Sequence, residues 1–277
     1  MSIVIGIDVG ISSTKIIGIE SGKRIRSSMD STASDPLTAA YGAIGKFLHK
    51  NDLTVNDVEH IMATGVGAKR LKTPILDIPT TPVDEFLANG RGARFDTGLD
   101  HMVVVSMGTG TSMVRVDGDD IRHIGGLGMG GGTLKGLAHL LLNTSDIATV
   151  AALAENGETD KVNLKIEDVC DGDIINLTGD ATASLFAKAS QNNLTDNDLA
   201  AGLIHMVLET IGASAVLSQI DSGVKDFVLI GNIARLPQCR EVFPALERLY
   251  NVNFHIPQYA NYCTALGAAL SYRYENE

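Results

Sequence analysis

The sequence contains few cysteines, and their spacing matches no metal or disulfide motif. Cys170, Cys239 and Cys263 are the three cysteines in 277 residues, and they form no CxxC pair and have no neighbouring pair of histidines. Zinc knuckles need closely spaced ligands, and disulfide-stabilised secreted domains need more cysteines. The sequence therefore predicts neither, and it favours a reducing, cytoplasmic location.

Basic residues and long apolar runs are also scarce. The chain has 22 Lys and Arg against 33 Asp and Glu, which gives a formal net charge of −11. Binding to a phosphate backbone depends on clustered basic residues, so nucleic acid is not an expected partner. The sequence shows no apolar run of about 18 residues and no basic leader before an apolar core, so it predicts neither a membrane partner nor secretion.

The first third of the chain alternates predicted strands and helices. Residues 3–9 and 14–20 are rich in β-branched residues and flank a glycine-serine turn, which predicts a β-hairpin. Asp35 followed by Pro36 predicts the start of a helix with one apolar stripe. A strand is expected at 59–65, and Thr81, Pro82 and Asp84 are then typical of a second helix start. These elements form a predicted first lobe, residues 1–96.

The remaining residues, 97–277, form a predicted second lobe that begins in the same way. Residues 101–126 predict three strands with two turns, and the glycine run in GMGGGTLKGLAHLLL precedes a helix. A long amphipathic helix is expected at 197–220, then a buried strand in KDFVLIGNIAR and a small-residue helix in CTALGAALSYR. No assignment is made for most of 155–200. Alternating strands and helices indicate an α/β fold, and 44% hydrophobic content supplies two modest cores.

Two segments share the plan of strand, glycine-serine-threonine turn and strand: VIGIDVGISSTKIIGI and VVVSMGTGTSMVRV. Glycines let backbone N–H groups converge and hydroxyls add donors, so such turns suit phosphate oxygens, and Lys15 adds a positive charge. One such turn alone is explained as well by an ordinary hairpin. Two matched turns, with a glycine run before a helix as a third element, favour a nucleotide phosphate site.

Two carboxylates lie beside these elements. Asp8 ends the first strand, where it can hold Mg²⁺ through water or can simply cap the turn. Glu85 lies in the first turn of the second predicted helix, where the helix dipole favours acidic residues whatever their function. Spacing alone does not decide between these alternatives.

The ordered motifs GIDVGISSTK, TTPVDEFLANGRGA, SMGTGTS, HIGGLGMGGGTLKGL and LIGNIA resemble those of the type II pantothenate kinases, over nearly the whole chain. The resemblance implies the two-lobed, ribonuclease H-like α/β fold of the actin, hexokinase and Hsp70 superfamily, an actin-like ATPase fold with mixed sheets flanked by helices. It also implies a homodimer that uses ATP and Mg²⁺ to phosphorylate pantothenate, the first step towards coenzyme A.

The resemblance also assigns roles to residues. Glu85 is the implied catalytic base, since a primary hydroxyl is too weak an acid to attack unaided. Asp8 is the implied metal ligand, and Ser112, Glu85 and His123 are the expected acceptor contacts. The implied nucleotide contacts are Asp8, Gly10, Ser12, Ser13, Thr14, Lys15, Thr109, Gly110, Gly131, Gly132, Thr133, Leu134, Lys135 and Asn232.

The chain departs from the family at one position. The family has an arginine just before the VGG that leads into the glycine run, whereas RHIGG places His123 there and Arg122 one residue earlier. Neighbouring strand residues face opposite sides, so we expect Arg122 to point away if His123 points inward. The change is either ordinary strand variation or a change of acceptor or rate, in which case His123 joins Glu85 as a catalytic candidate.

Three other functions fit parts of the pattern. A sugar or other small-alcohol kinase fits because the fold and phosphate loops do not select the acceptor. A catalytically weakened nucleotide-binding homologue fits the histidine at position 123. An ATP-dependent dehydratase activator shares the opening hairpin, but it needs cysteines that bridge an iron–sulfur cluster between subunits, and the scattered cysteines here argue against it.

Overall fold

The computed structural model describes residues 3–11, 13–20, 24–31, 35–71, 74–170, 178–191 and 193–274. Within these ranges the chain forms two five-stranded mixed sheets with helices packed on them. The α/β architecture expected from the alternating pattern is confirmed.

The first sheet has the strand order β3-β2-β1-β4-β5. Strands β1 and β2 form the predicted hairpin. They are antiparallel, and their pairing runs from Ile3 opposite Glu20 to Val9 opposite Thr14. β4 runs parallel to β1, and β5 runs parallel to β4. The strands are β1 Ile3–Val9, β2 Thr14–Glu20, β3 Arg24–Ser31, β4 Val58–Thr64 and β5 Thr80–Pro82.

The second sheet, ordered β12-β11-β6-β7-β8, repeats the antiparallel hairpin in β6 and β7. β11 and β12 add parallel strands on the other side of β6. The three strands expected over residues 101–126 are therefore confirmed. The strands are β6 His101–Met107, β7 Thr111–Asp117, β8 Asp120–Leu127, β11 Asp226–Ile230 and β12 Asn253–His255.

The first helix, α1 Pro36–Lys50, begins where the sequence predicts. The Asp35 carboxylate accepts the Thr38 amide hydrogen bond at 2.8 Å, and Pro36 occupies the first turn, where its missing N–H costs nothing. The apolar stripe, which includes Ile44 and Phe47, packs on the first sheet. The second helix, α2 Glu85–Thr97, starts after β5 with Asp84 as its N-cap.

The last helix, α7 Cys263–Tyr274, packs against both α2 and the first sheet. A Cβ at Gly6 in β1 would overlap the carbonyl oxygen of Ala265, so the helix backbone lies directly on the strand. The sequence placed this helix in the second lobe, but its contacts tie it to the first sheet, because small residues on both elements permit close approach. The lobe boundary near residue 97 stays a prediction.

The second sheet is covered by the remaining helices, α3 Gly131–Leu142, α4 Ile147–Ala154, α5 Asp196–Leu217 and α6 Cys239–Tyr250. α5 is long and apolar enough to span a membrane by length and composition, but 61% of its most apolar window is buried in the fold, as in a core helix. The segment that the sequence left unassigned contains the short antiparallel pair β9 Leu164–Lys165 and β10 Thr182–Ser184.

Candidate active site

A cavity of about 640 Å³ lies between the two hairpin turns, the start of α2, the start of α3 and the end of β11. Elements from both sheets therefore contribute to one site. The predicted site residues that line it are Asp8, Gly10, Ser13, Lys15, Glu85, Thr109, Gly110, Ser112, Gly131, Lys135 and Asn232.

The first hairpin turn brings a carboxylate and an ammonium together at the cavity. Asp8 and Lys15 are cross-strand partners in β1 and β2. Burial raises the pKa of Asp8 to about 6, with Lys15 lowering it and the nearby Glu85 raising it further. Gly65, with φ +88°, passes so close that a Cβ would lie 2.5 Å from Asp8 Oδ1. The carboxylate is therefore held in a closely packed site.

Two predicted residues of this turn do not offer the ligand contacts that the sequence predicts. Thr14 is buried at 1% exposure, and its Oγ1 has no hydrogen-bond partner within the described ranges. The Gly10 amide donates to the Ser13 carbonyl at 3.1 Å, so it closes the turn rather than offering an N–H to a ligand. Ser12 lies outside the described residues.

Glu85 is the first residue of α2, and Asp84 performs the capping role beside it. The Asp84 carboxylate accepts the Phe86 and Leu87 amide hydrogen bonds at 2.9 and 3.0 Å. Glu85 instead lines the cavity, where burial and then Asp84 raise its pKa, against a lowering by Lys15. A partly buried carboxylate with a raised pKa in a cleft has the properties of a general base.

The second hairpin turn is joined directly to the start of α3. The sequence predicts that the glycine run offers free N–H groups to an anion, and the structure corrects this at two positions. Gly131 N–H donates to the Gly108 carbonyl at 2.8 Å, and Gly132 N–H donates to the Thr109 carbonyl at 2.8 Å. These amides hold the helix start against the turn, because the small residues allow backbone to meet backbone.

Two further residues of the glycine segment point away from the cavity. Leu134 is fully buried in the core beneath the second sheet. Thr133 Oγ1 donates to the Gly128 carbonyl at 2.9 Å and is engaged at the helix start. Neither side chain lines the cavity, so the predicted nucleotide contacts at these two positions are not supported, whereas Lys135 on the next turn does line it.

His123 on β8 stacks on Phe86 of α2, with ring centroids 4.1 Å apart and an interplanar angle of 19°. Phe86 lines the cavity and His123 does not, so the histidine contacts the site through the aromatic ring. Arg122 Nη2 lies 3.8 Å from the Asp117 carboxylate, and Arg122 Nε lies 3.8 Å from the Asp120 carboxylate. The histidine therefore lies at the edge of the site beside the start of α2, and the neighbouring arginine is paired elsewhere.

Sequence reasoning missed six cavity residues with polar side chains, four of which lie outside the quoted glycine motifs. Asn261 lies in the turn just before α7 and Thr264 in its first turn, and both reach the cavity only through tertiary packing. The missed lining residues with polar side chains are Ser106, Thr111, Ser145, Asp146, Asn261 and Thr264. The described ranges hold no cluster of three or more histidine, cysteine or acidic residues placed to bind a metal.

Comparison with known proteins supplies the family. The Fumble family model matches residues 97–271. A type II pantothenate kinase of Staphylococcus epidermidis is 31% identical over 188 residues, which cover 65% of this chain and 71% of that protein. The chain belongs to the Fumble family of type II pantothenate kinases. A second family member, from Staphylococcus saprophyticus, is 28% identical over 236 residues, covering 82% of this chain and 84% of that protein.

Solved structures show the fold of this family member. The activator of the 2-hydroxyisocaproyl-CoA dehydratase from Clostridium difficile, with bound ADPNP, superposes with a TM-score of 0.72 at 19% identity, covering 99% of this chain and 95% of that one. A ROK family glucokinase from Streptomyces griseus, with glucose and AMPPNP, gives 0.60 at 15% identity, with 97% and 98% covered. The fold is therefore that of the actin-like ATPases and hexokinases, as the sequence motifs imply.

Proposed function

We propose that the protein catalyses ATP-dependent phosphorylation of pantothenate to 4'-phosphopantothenate, the first step of coenzyme A biosynthesis. Family membership supports the substrate. The observation that carries the chemistry is the placement of Glu85 in one cavity with both glycine turns and Lys15.

In the proposed reaction, Glu85 accepts the proton of the primary hydroxyl as its oxygen attacks the terminal phosphorus of ATP. The new oxygen–phosphorus bond forms as the bond to the bridging oxygen of ADP breaks, and ADP leaves. Proton transfer to a positioned carboxylate is worth about 10²–10⁴ in rate. Lys15 stabilises the negative charge on the transferring group.

Asp8 is the residue that fits a divalent cation. Its carboxylate offers hard oxygen ligands, and because burial raises its pKa against the lowering by Lys15, a bound cation would stabilise its ionised form. Bound Mg²⁺ would neutralise phosphate charge in the transfer. Dependence on Mg²⁺ is part of the proposal, as are the homodimer, a cytoplasmic location, and the absence of nucleic-acid and membrane partners.

The test is a panel assay. Purified protein is incubated with Mg·ATP and pantothenate, hexoses or glycerol, and ADP release is measured. Pantothenate-dependent release supports the proposal, whereas release with a hexose or glycerol alone would assign the sugar or alcohol kinase activity. ATP binding without release above background for every acceptor would indicate the weakened nucleotide-binding homologue.

The cysteines argue against the dehydratase activator, in spite of the shared fold. Cys239 and Cys263 are buried at 2% and 0% exposure, which leaves Cys170 as the accessible thiol. Burial raises the pKa of Cys239 to about 12, so this thiol is a poor metal ligand. An iron–sulfur cluster shared between subunits needs exposed thiolates.

A further inference from the structure

Asn89 is a fully buried polar residue on α2, one turn after Glu85. It is 0% exposed, and its Oδ1 accepts a hydrogen bond from Thr264 Oγ1 at 2.7 Å. Its Nδ2 has no partner among the described residues. An unpaired buried donor costs about 1–3 kcal/mol, so folding stability alone does not explain an amide here.

The contact between α2 and α7 also contains the hydrogen bond from Cys263 Sγ to the Asn89 carbonyl at 3.8 Å and close approaches of small residues. A Cβ at Gly92 would overlap the carbonyl oxygen of Cys263, and a Cβ at Gly267 would overlap that of Ala88. A directional contact, such as a side-chain hydrogen bond, restrains the rotation of one helix against another more specifically than close packing does. The hydrogen bond between Asn89 and Thr264 is such a contact, because its strength depends on orientation.

This hydrogen bond links the start of α2 to the first sheet. Thr264 and Glu85 line the same cavity, and α7 lies on β1, where Gly6 meets the backbone of Ala265. Asp8 lies two residues further along β1. The rotation of α2 about its axis therefore sets the position of the Glu85 carboxylate relative to Asp8.

An amide at position 89 makes the bond without adding charge. Residues four apart on a helix are neighbours, with roughly 5–6 Å between their Cβ atoms. A carboxylate at 89 would accept the same hydrogen bond but would place another negative charge beside Glu85. The charged or titratable groups that surround Glu85 are Asp84 before α2, Asp8 on β1, Lys15 on β2, and His123 on β8 through Phe86.

We propose that Asn89 is a positioning residue for the reaction: by accepting the Thr264 hydroxyl hydrogen bond, it sets the rotation of α2 that places the Glu85 carboxylate at the acceptor hydroxyl. The inference rests on the proposed function, in which Glu85 is the base.

The first test compares two substitutions of Thr264. Thr264→Val keeps the shape and removes the hydroxyl, and we expect kcat to fall about tenfold or more because the base is misplaced. The KM for ATP should change by no more than about twofold, since the nucleotide contacts remain. Thr264→Ser restores the donor and should recover most of the lost kcat.

Two substitutions of Asn89 complete the test. Asn89→Leu should reproduce the loss in Thr264→Val, and the double variant should be no worse than either single one, because both remove the same bond. Asn89→Asp keeps the acceptor but adds charge, so the acid limb of kcat should move up by roughly half a pH unit or more. The absence of a shift would place position 89 too far from Glu85 to orient its carboxylate.

Ser271→Ala is the control on α7. Ser271 is buried and donates to the Gly267 carbonyl at 2.8 Å, away from the cavity, so its loss should lower the melting temperature and leave kcat unchanged. Equal kcat in Thr264→Val and Thr264→Ser, or an equal fall in Ser271→Ala, would overturn the positioning role. A wild-type kcat in Glu85→Gln would remove Glu85 as the base and the positioning role with it, whereas the acceptor panel tests the kinase activity itself.

Discussion

Asp8 and Lys15 face each other across the first hairpin, one at the end of β1 and the other at the start of β2. Lys15 lowers the pKa of Asp8 and that of Glu85. The ionised forms of both carboxylates are therefore stabilised by the same ammonium group. Beside this hairpin, two carboxylates therefore share the charge of one ammonium group, that of Lys15. This balance favours an incoming nucleotide that brings its own divalent cation.

The role of Glu85 is tested by Glu85→Gln. An amide of the same size cannot accept the hydroxyl proton, so kcat should fall by about 10² or more while ATP affinity is retained. ADP release and direct titration with ATP measure the two quantities. A fall in kcat below about fivefold would leave Glu85 as an ordinary first-turn acidic residue.

The pH dependence of kcat follows from the same carboxylate. The base must be ionised to act, and the pKa of Glu85 is raised above its ordinary 4.5 by burial and by Asp84. We therefore expect kcat to fall on acidification through a pKa above 4.5, in a profile measured with saturating ATP and acceptor. An acid limb at or below 4.5 would contradict the raised pKa of Glu85 in this site.

Asp8→Asn should stabilise the protein while it removes activity. Because the pKa of Asp8 is about 6 in the fold against an ordinary 3.8, the folded state binds a proton more tightly, and stability falls as pH rises through that window. The neutral variant lacks this loss, so above pH 6 it should be more stable by roughly 2–3 kcal/mol.

Urea unfolding at several pH values measures this effect. Below the ordinary pKa of 3.8 the two proteins should have equal stability, because Asp8 is then protonated in both the folded and the unfolded state. A variant that is less stable than wild type at neutral pH would show that the pairing with Lys15 outweighs burial.

The contact between the second turn and α3 is tested by Gly130→Ala. A Cβ at Gly130 would lie 2.6 Å from the Thr109 carbonyl oxygen, so the turn must shift. The free energy of unfolding should fall by about 1–3 kcal/mol, and the KM for ATP should rise. Gly136→Ala is the matched control on the same helix. A Cβ at Gly136 would have no neighbouring atom within 4 Å. Alanine there should therefore raise the free energy of unfolding by about 0.5–1 kcal/mol.

Position 123 is tested by introducing the arginine that the resemblance to the family implies there. His123→Arg should keep or raise kcat, because an arginine stays charged and can stabilise phosphoryl oxygens, whereas histidine is charged only when protonated. His123→Ala removes the stack on Phe86 and should lower kcat more than it raises the KM for ATP. Normal turnover in both variants would make His123 an ordinary strand residue.

Local sequence determined the elements whose signals lie within a few residues. The β1–β2 and β6–β7 hairpins follow from β-branched runs around glycine turns, and α1 begins at Asp35 and Pro36, where a cap and a fixed φ agree. The resemblance of the ordered motifs also led to the family. The first turn itself indicates Lys15, the resemblance assigns Glu85 as the base, and both side chains line the cavity.

Only the tertiary structure decided which backbone groups are free and which distant residues meet. The glycine run predicts open N–H groups, but Gly131 and Gly132 donate to a turn more than twenty residues earlier in the chain. Asn89 and Thr264 meet because α2 and α7 pack closely enough for backbone contact. Local patterns record the preferences of single elements, whereas these contacts depend on how elements pack, and that information is spread along the whole chain.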